Sequence, residues 1–308
     1  MGELSVPEGI LEMKVTESFQ RVVISPAPPP AAVTAPVPAA AHFVLVHGIG
    51  GGAWCWYKIK CLMENSGYRV SCLDLKGAGV DPTDPNTILS FQDYNKPLID
   101  FLSSLHVNDQ VILVGHSAAG LSLSEAIHKF GKKKIRVAVF VAATMLRSGF
   151  VTDQDVKDGV PDLSDFGEVN DICDFGFGLG NDRPPTTSMV KKEFQRKIIY
   201  PLCPQETRKG SNFKWDFTLA AMLLRPGPIQ ALTTAIFEGV DENVDEVPRI
   251  YIKTTMDNVV KPDQQEAMIR KWPPSGGVYV LESDHSPFFS SPFLLFGLLA
   301  NAAVSFGI

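Results

Sequence analysis

Four strand-forming residues, Val111-Ile112-Leu113-Val114, pass without a break into Gly115-His116-Ser117-Ala118-Ala119-Gly120 and then into a helical pattern. Few architectures accept such a run. It requires a buried strand that turns sharply at its carboxyl end into a helix, with small residues so that strand and helix can approach closely. A serine on such a turn projects its hydroxyl above the end of the sheet, and the N–H of the next residue points the same way. Ser117 is therefore a candidate nucleophile. Its plainer reading is a helix N-cap, a position serine also favours. The usual spacing is G-x-S-x-G, and here Ala119 holds the last position with Gly120 one place later.

The rest of the chain repeats the strand signal. Phe43 to Val46, Arg69 to Leu73, Arg136 to Val141, Arg249 to Lys253 and Gly277 to Leu281 each read as a short buried strand, with helical or loop segments between them. With Val111 to Val114 they make six strands alternating with helices. That pattern predicts an α/β fold of the α/β-hydrolase type, a six-stranded, mostly parallel, doubly wound sheet with its site at the strands' carboxyl ends. Between Val141 and Arg249 lies far more chain than a crossover helix uses. An inserted cap, about residues 147–247, is expected there, its Phe175 to Leu179 and Leu219 to Leu224 runs walling an apolar pocket.

A serine hydrolase of this type needs an acid and a histidine in the order Ser, Asp, His along the chain. Asp257 follows the Arg249 strand, and His285 follows the Gly277 strand within Glu282-Ser283-Asp284-His285. His285 is placed to take the Ser117 proton and Asp257 to orient the imidazole. Asp284 is a poor substitute because neighbouring side chains diverge, and Asp74 and Asp263 read as structural or solvated. His47-Gly48-Ile49-Gly50-Gly51-Gly52, directly after the first strand, supplies a loop whose amides can face the serine. The two oxyanion donors are expected from the backbone N–H groups of Ile49 and Ala118. Gly48 and His116, beside them, are expected to touch substrate. A dinucleotide loop is disfavoured because the glycine spacing is not GxGxxG.

Composition narrows the rest. A formal net charge of −6 over 308 residues argues against nucleic acid as a partner. The five cysteines, Cys55, Cys61, Cys72, Cys173 and Cys203, include no CxxC pair, and no HExxH or phosphate loop is present. No metal and no cofactor are implied, and a reducing, cytoplasmic setting is expected. Lys132-Lys133-Lys134 reads as a solvated helix end. Residues 1–25 carry Glu3, Glu8, Glu12 and Glu17 with no apolar targeting core, and Pro26 to Ala41 holds six prolines in sixteen residues. Residues 1–41 are expected to be a disordered extension, with Val22 to Ile24 as a possible edge strand, and 42–308 the folded domain. The first crossover, Trp54 to Gly67, predicts a helix whose aromatic residues pack. The apolar C-terminal run from Phe288 is short for a membrane span and predicts a buried final helix.

The run His42 to Gly48, the block Trp54-Cys55-Trp56-Tyr57-Lys58, Leu73-Asp74-Leu75, Val111 to Gly120, Arg249 to Ile252 and Ser283-Asp284-His285 together resemble the plant methylesterase family, whose relatives include hydroxynitrile lyases. The resemblance covers His42 to Ile308. Asp158 to Leu163, Gly176 to Gly180 and Lys261 to Pro274 resemble the branch that hydrolyses methyl indole-3-acetate. The resemblance implies a cofactor-free carboxylesterase releasing a small signalling acid and methanol, with Ser117, Asp257 and His285 matching the family's triad; a homodimer is the assembly to consider. Members usually carry Gly where Ala119 stands, many carry His where Gly51 stands, and Thr207 to Phe217 reads as an eleven-residue insert. The lyases carry Thr, Glu and Lys where this chain has Gly48, His116 and Ser286, so the esterase reading is preferred. Hydrolysis of methyl jasmonate or methyl salicylate, and a low-turnover hormone receptor, compete with it.

Overall fold

The computed structural model describes residues 41–203, 215–237 and 244–307. The expected extension, apart from Ala41, and most of the Thr207 to Phe217 insert lie outside these residues. Ala41 itself belongs to the folded body: it is buried, and its carbonyl accepts from the Arg69 N–H at 3.0 Å, continuing the ladder one residue before the first strand.

The chain runs β1 (His42–Val46), α1 (Tyr57–Asn65), β2 (Arg69–Leu73), α2 (Phe91–Ser104), β3 (Val111–His116), α3 (Ala119–Phe130) and β4 (Ile135–Val141). The insertion follows, with α4 (Asp153–Gly159), α5 (Val169–Ile172), β5 (Cys173–Gly176), β6 (Thr187–Val190), α6 (Lys192–Ile198), α7 (Trp215–Leu223) and α8 (Ile229–Thr233). It closes with β7 (Arg249–Thr254), α9 (Pro262–Lys271), β8 (Val278–Leu281), α10 (Pro287–Ser290) and α11 (Pro292–Ser305). Six strands form one parallel sheet in the order β2-β1-β3-β4-β7-β8. β5 and β6 form a separate antiparallel hairpin inside the insertion.

Alternate residues of the strands enter two cores. Val44, Val46, Leu113 and Phe140 pack on one face beneath α2, α3 and α9, while Phe43, Leu45, Val114 and Val139 pack on the other beneath α1 and α11. Burial of both faces is why these strands read as unbroken apolar runs instead of alternating ones. α2 starts where Ser90 accepts from the Asp93 N–H at 3.2 Å, and it turns Phe91, Tyr94, Leu98 and Leu102 inward. α3 ends on Gly131 at φ 50°, and the lysines that follow are not all free: Lys134 Nζ donates to the Leu105 and His106 carbonyls, both at 2.7 Å.

Two expectations need correction. The final helix is buried along one side only, for Phe293, Leu294 and Val304 are about two-thirds exposed while Leu295, Leu299 and Ala302 are sealed against the sheet. β8 begins at Val278 because Gly277, at φ 97°, is still part of the turn. Among the described residues no helix is long and apolar enough to cross a membrane.

Candidate active site

β3 delivers Ser117 to the top of the sheet, and the turn is sharp enough to force a non-glycine residue to φ 55°. The turn is held on both sides. The Ser117 N–H donates to the Val141 carbonyl at 3.2 Å, and its carbonyl accepts from Gly120 and Thr144, each at 3.0 Å. Ala142, the residue after β4, is itself at φ 46°. The displaced motif glycine has a steric reason: a Cβ on Gly120 would lie 2.2 Å from the Thr144 carbonyl oxygen. Close approach of α3 to the post-β4 loop thus falls on residue 120, and Ala119, pointing elsewhere, is tolerated.

His285 follows β8 and Asp257 follows β7, and the parallel register brings both loops to the same end as Ser117. His285 Nδ1 lies 2.9 Å from Asp257 Oδ2. The carboxylate is buried and accepts on both oxygens: Oδ2 also from Thr254 Oγ1 at 2.9 Å and Gln265 Nε2 at 3.3 Å, Oδ1 from the N–H groups of Val259 at 2.8 Å and Val260 at 3.0 Å. Every neighbour is a donor. Nε2 of His285, the ring nitrogen left over, has no protein partner among the described residues.

Asp284 points away from the imidazole. Its carboxylate accepts from the N–H groups of Leu202 and Ser286 and from Ser290 Oγ, and burial pushes its pKa up. Asp74 is structural in the same sense, accepting from the Ala53 and Val80 amides.

His116 sits under His285, with ring centroids 4.5 Å apart, and its Nε2 donates to the His285 carbonyl at 2.6 Å. Burial, reinforced by the neighbouring His285, holds its pKa well below the ordinary histidine value, so it is neutral, with the proton on Nε2. Its place is as a brace for the His285 backbone.

Ser117, His285, Gly48, Ile49, Ala118 and His116 all line one cavity of about 380 Å³. Among the described residues no hydrogen bond uses the N–H of Ile49 or of Ala118. Both residues are part-buried and line the cavity, Ala118 at the start of α3 where N–H groups lack partners within the helix, so two unspent donors beside a serine are a place for an anion. Among the same residues no group of three or more His, Cys, Asp or Glu side chains gathers to hold a metal. All five cysteines are free thiols.

The insertion roofs the cavity. Val160, Pro161 and Leu163 after α4, Phe175 on β5, Met189 on β6 and Leu224 after α7 line it. Only Phe175 and Leu224 of the two expected runs do so. Phe177 and Leu179 are on a hairpin turn that leads outward and are over 40% exposed, and Met222 on α7 is 76% exposed. Trp54 packs against the core as expected, stacked on Phe289 with ring centroids 6.3 Å apart, and also lines the cavity with Cys55, while Trp56 is fully buried.

Residues 43–296 match the alpha/beta hydrolase family. Methylesterase 17 of Arabidopsis thaliana is 56% identical over 269 residues, 86% of this chain and 92% of that protein. The chain belongs to the plant methylesterases of the alpha/beta hydrolase family. The crystal structure of the Arabidopsis methylesterase MES16 superposes with a TM-score of 0.73 at 38% identity, over 87% of this chain and all of that one. Tomato methylketone synthase I, complexed with 2-tridecanone, gives 0.74 at 32% identity over 87% and 99%. This methylesterase relative is thus a carboxylic ester hydrolase by kinship, on a framework that also carries a differently named activity.

Thr254, the last residue of β7, and Gln265 on α9 hold Asp257 and have no signature in the sequence.

Proposed function

We propose that the protein hydrolyses a methyl ester of a small, flat, apolar acid through an acyl-enzyme on Ser117, with methyl indole-3-acetate as the preferred substrate. The observation that carries the chemistry is His285, backed by the buried Asp257, in one cavity with a left-handed Ser117 and two unspent amides. In this reading Asp257 fixes the proton on Nδ1, so Nε2 is a base when substrate draws Ser117 toward it. Ser117 Oγ adds to the ester carbonyl as its proton moves to Nε2, and the carbonyl π electrons become an oxyanion held by the Ile49 and Ala118 N–H groups. Collapse breaks the acyl–OCH3 bond, methanol leaves with the His285 proton, and water activated by the same nitrogen frees the acid.

The substrate choice rests on the branch-like motifs, one of which, Asp158 to Leu163, also lines the cavity. Val160, Pro161 and Leu163 of the Asp158 to Leu163 motif form its wall beside Phe175 and Ile198, with no charged group needed for a neutral ester. Free thiols accord with a cytoplasmic setting. A panel of methyl indole-3-acetate, methyl jasmonate and methyl salicylate assayed beside Ser117→Ala tests the reading. The variant should lose turnover. If either other ester exceeded methyl indole-3-acetate tenfold in kcat/KM, about 1.4 kcal/mol of transition-state binding, the substrate choice fails and the esterase reading stands.

A further inference from the structure

The loop that would supply the Ile49 donor is a tight turn: the Gly51 N–H donates to the Gly48 carbonyl at 3.1 Å, and Gly50 sits at φ 70°. Glycine-rich turns hold their shape poorly alone, since each glycine has the widest range of backbone conformations open to it. What fixes this one comes from the insertion. The Arg225 N–H donates to the Gly50 carbonyl at 2.9 Å, and the Arg225 carbonyl lies so close that a Cβ on Gly50 would stand 2.6 Å from it. The guanidinium reaches past the turn to the loop after β2, donating to the carbonyls of Asp81, of Gly79 at 3.4 Å and of Thr83 at 3.1 Å. That loop is also tied to the turn, the Gly79 N–H donating to the Gly51 carbonyl at 3.2 Å. Two residues on, Gly227 lies directly on the Ile49 side chain and pairs with Ser188 of β6 through two backbone hydrogen bonds of 3.0 and 2.8 Å.

We propose that Arg225 is a positioning residue for the oxyanion turn: its guanidinium anchors the 225–227 strap to the 79–83 loop, and the strap holds the Ile49–Gly50 backbone so that the Ile49 N–H points into the cavity. The proposal rests on the triad and oxyanion reading above. A planar fork with five donors suits three carbonyls on one loop, and a lysine ammonium offers the charge without that geometry. An oxyanion donor acts on the tetrahedral state and hardly on the bound ester, so loosening the turn lowers kcat and leaves KM.

The test uses the full chain with Arg225→Lys, and Gly50→Ala as a second variant that strikes the same contact from the other side. kcat and KM are measured with a methyl ester, together with inhibition by the matching trifluoromethyl ketone. That ketone gains a bond from Ser117 Oγ at its carbonyl carbon, sends the serine proton to His285 and leaves its oxyanion in the hole. Expected are a fall in kcat of about tenfold or more with KM within about twofold, and a loss of ketone affinity matching the loss in kcat/KM. Unchanged kcat with a raised KM, or a lowered thermal midpoint with unchanged kcat, overturns the proposal. If Arg225→Lys does not fold, Gly50→Ala decides by the same criteria. Ser117→Ala separates the two readings: turnover lost there but intact in both turn variants removes the strap and keeps the triad, and turnover kept in Ser117→Ala removes both.

Discussion

Replacing Asp257 with asparagine changes one atom in a pocket built entirely of donors. Oδ1 meets two backbone N–H groups, and Oδ2 meets His285 Nδ1, Thr254 Oγ1 and Gln265 Nε2. The amide must put its NH2 on one side. Against the fixed Val259 and Val260 amides it would oppose donor to donor, so the NH2 turns toward His285, whose ring can answer by moving its proton to Nε2. That tautomer can no longer accept the Ser117 proton. A wrong-tautomer histidine with intact geometry lowers kcat by about 10⁴, near 5 kcal/mol on the barrier. Methyl ester hydrolysis by purified Asp257→Asn, with thermal unfolding to show that the fold survives, measures it. Turnover within tenfold of wild type, or a larger loss for Asp284→Asn than for Asp257→Asn, would refute the assignment of roles.

Gly120→Ala forces a methyl group against the Thr144 carbonyl, and since both partners are backbone the structure cannot yield cheaply; a loss of about 1–3 kcal/mol in denaturant unfolding is expected, against little effect for Ala119→Gly. Stability should fall as pH drops from about 6.5 toward 4, because burial, helped by Arg69, holds His42 down at about 4, and burial lowers His47 and His116 in the same direction. The sign follows from proton uptake: the unfolded chain protonates these rings near 6.5 while the folded chain does not, so acid favours unfolding. His42→Gln should narrow the gap in thermal midpoint between pH 7 and pH 5, and an unchanged gap would remove His42 as a contributor.

The sheet and the loops carrying Ser117, Asp257 and His285 were legible because each depends on a short, local pattern. A strand buried on both faces must be apolar throughout, and the residue that follows it must sit at the sheet's end. The roof was not legible in that way. Its elements are brief and its strands form a hairpin of their own, so the sequence marks Phe175 and Phe177 alike although one faces the cavity and the other solvent. Arg225 escaped for a related reason: its partners are carbonyl oxygens at 79, 81 and 83, which leave no trace in side-chain composition. Trp54 and Trp56 show the limit within a single turn, two residues apart, one in the cavity wall and one in the core.

Ser117 at φ 55° and Ala142 at φ 46° each directly follow one of two neighbouring strands, β3 and β4, and each is in a region that disfavours a Cβ. Strain of this kind costs about 1–3 kcal/mol per residue. A glycine at 117 would hold the same elbow without it. Ser117→Ala keeps the burden and loses only the hydroxyl, whereas Ser117→Gly sheds both, so the better dead enzyme for capturing an intact ester is the glycine variant.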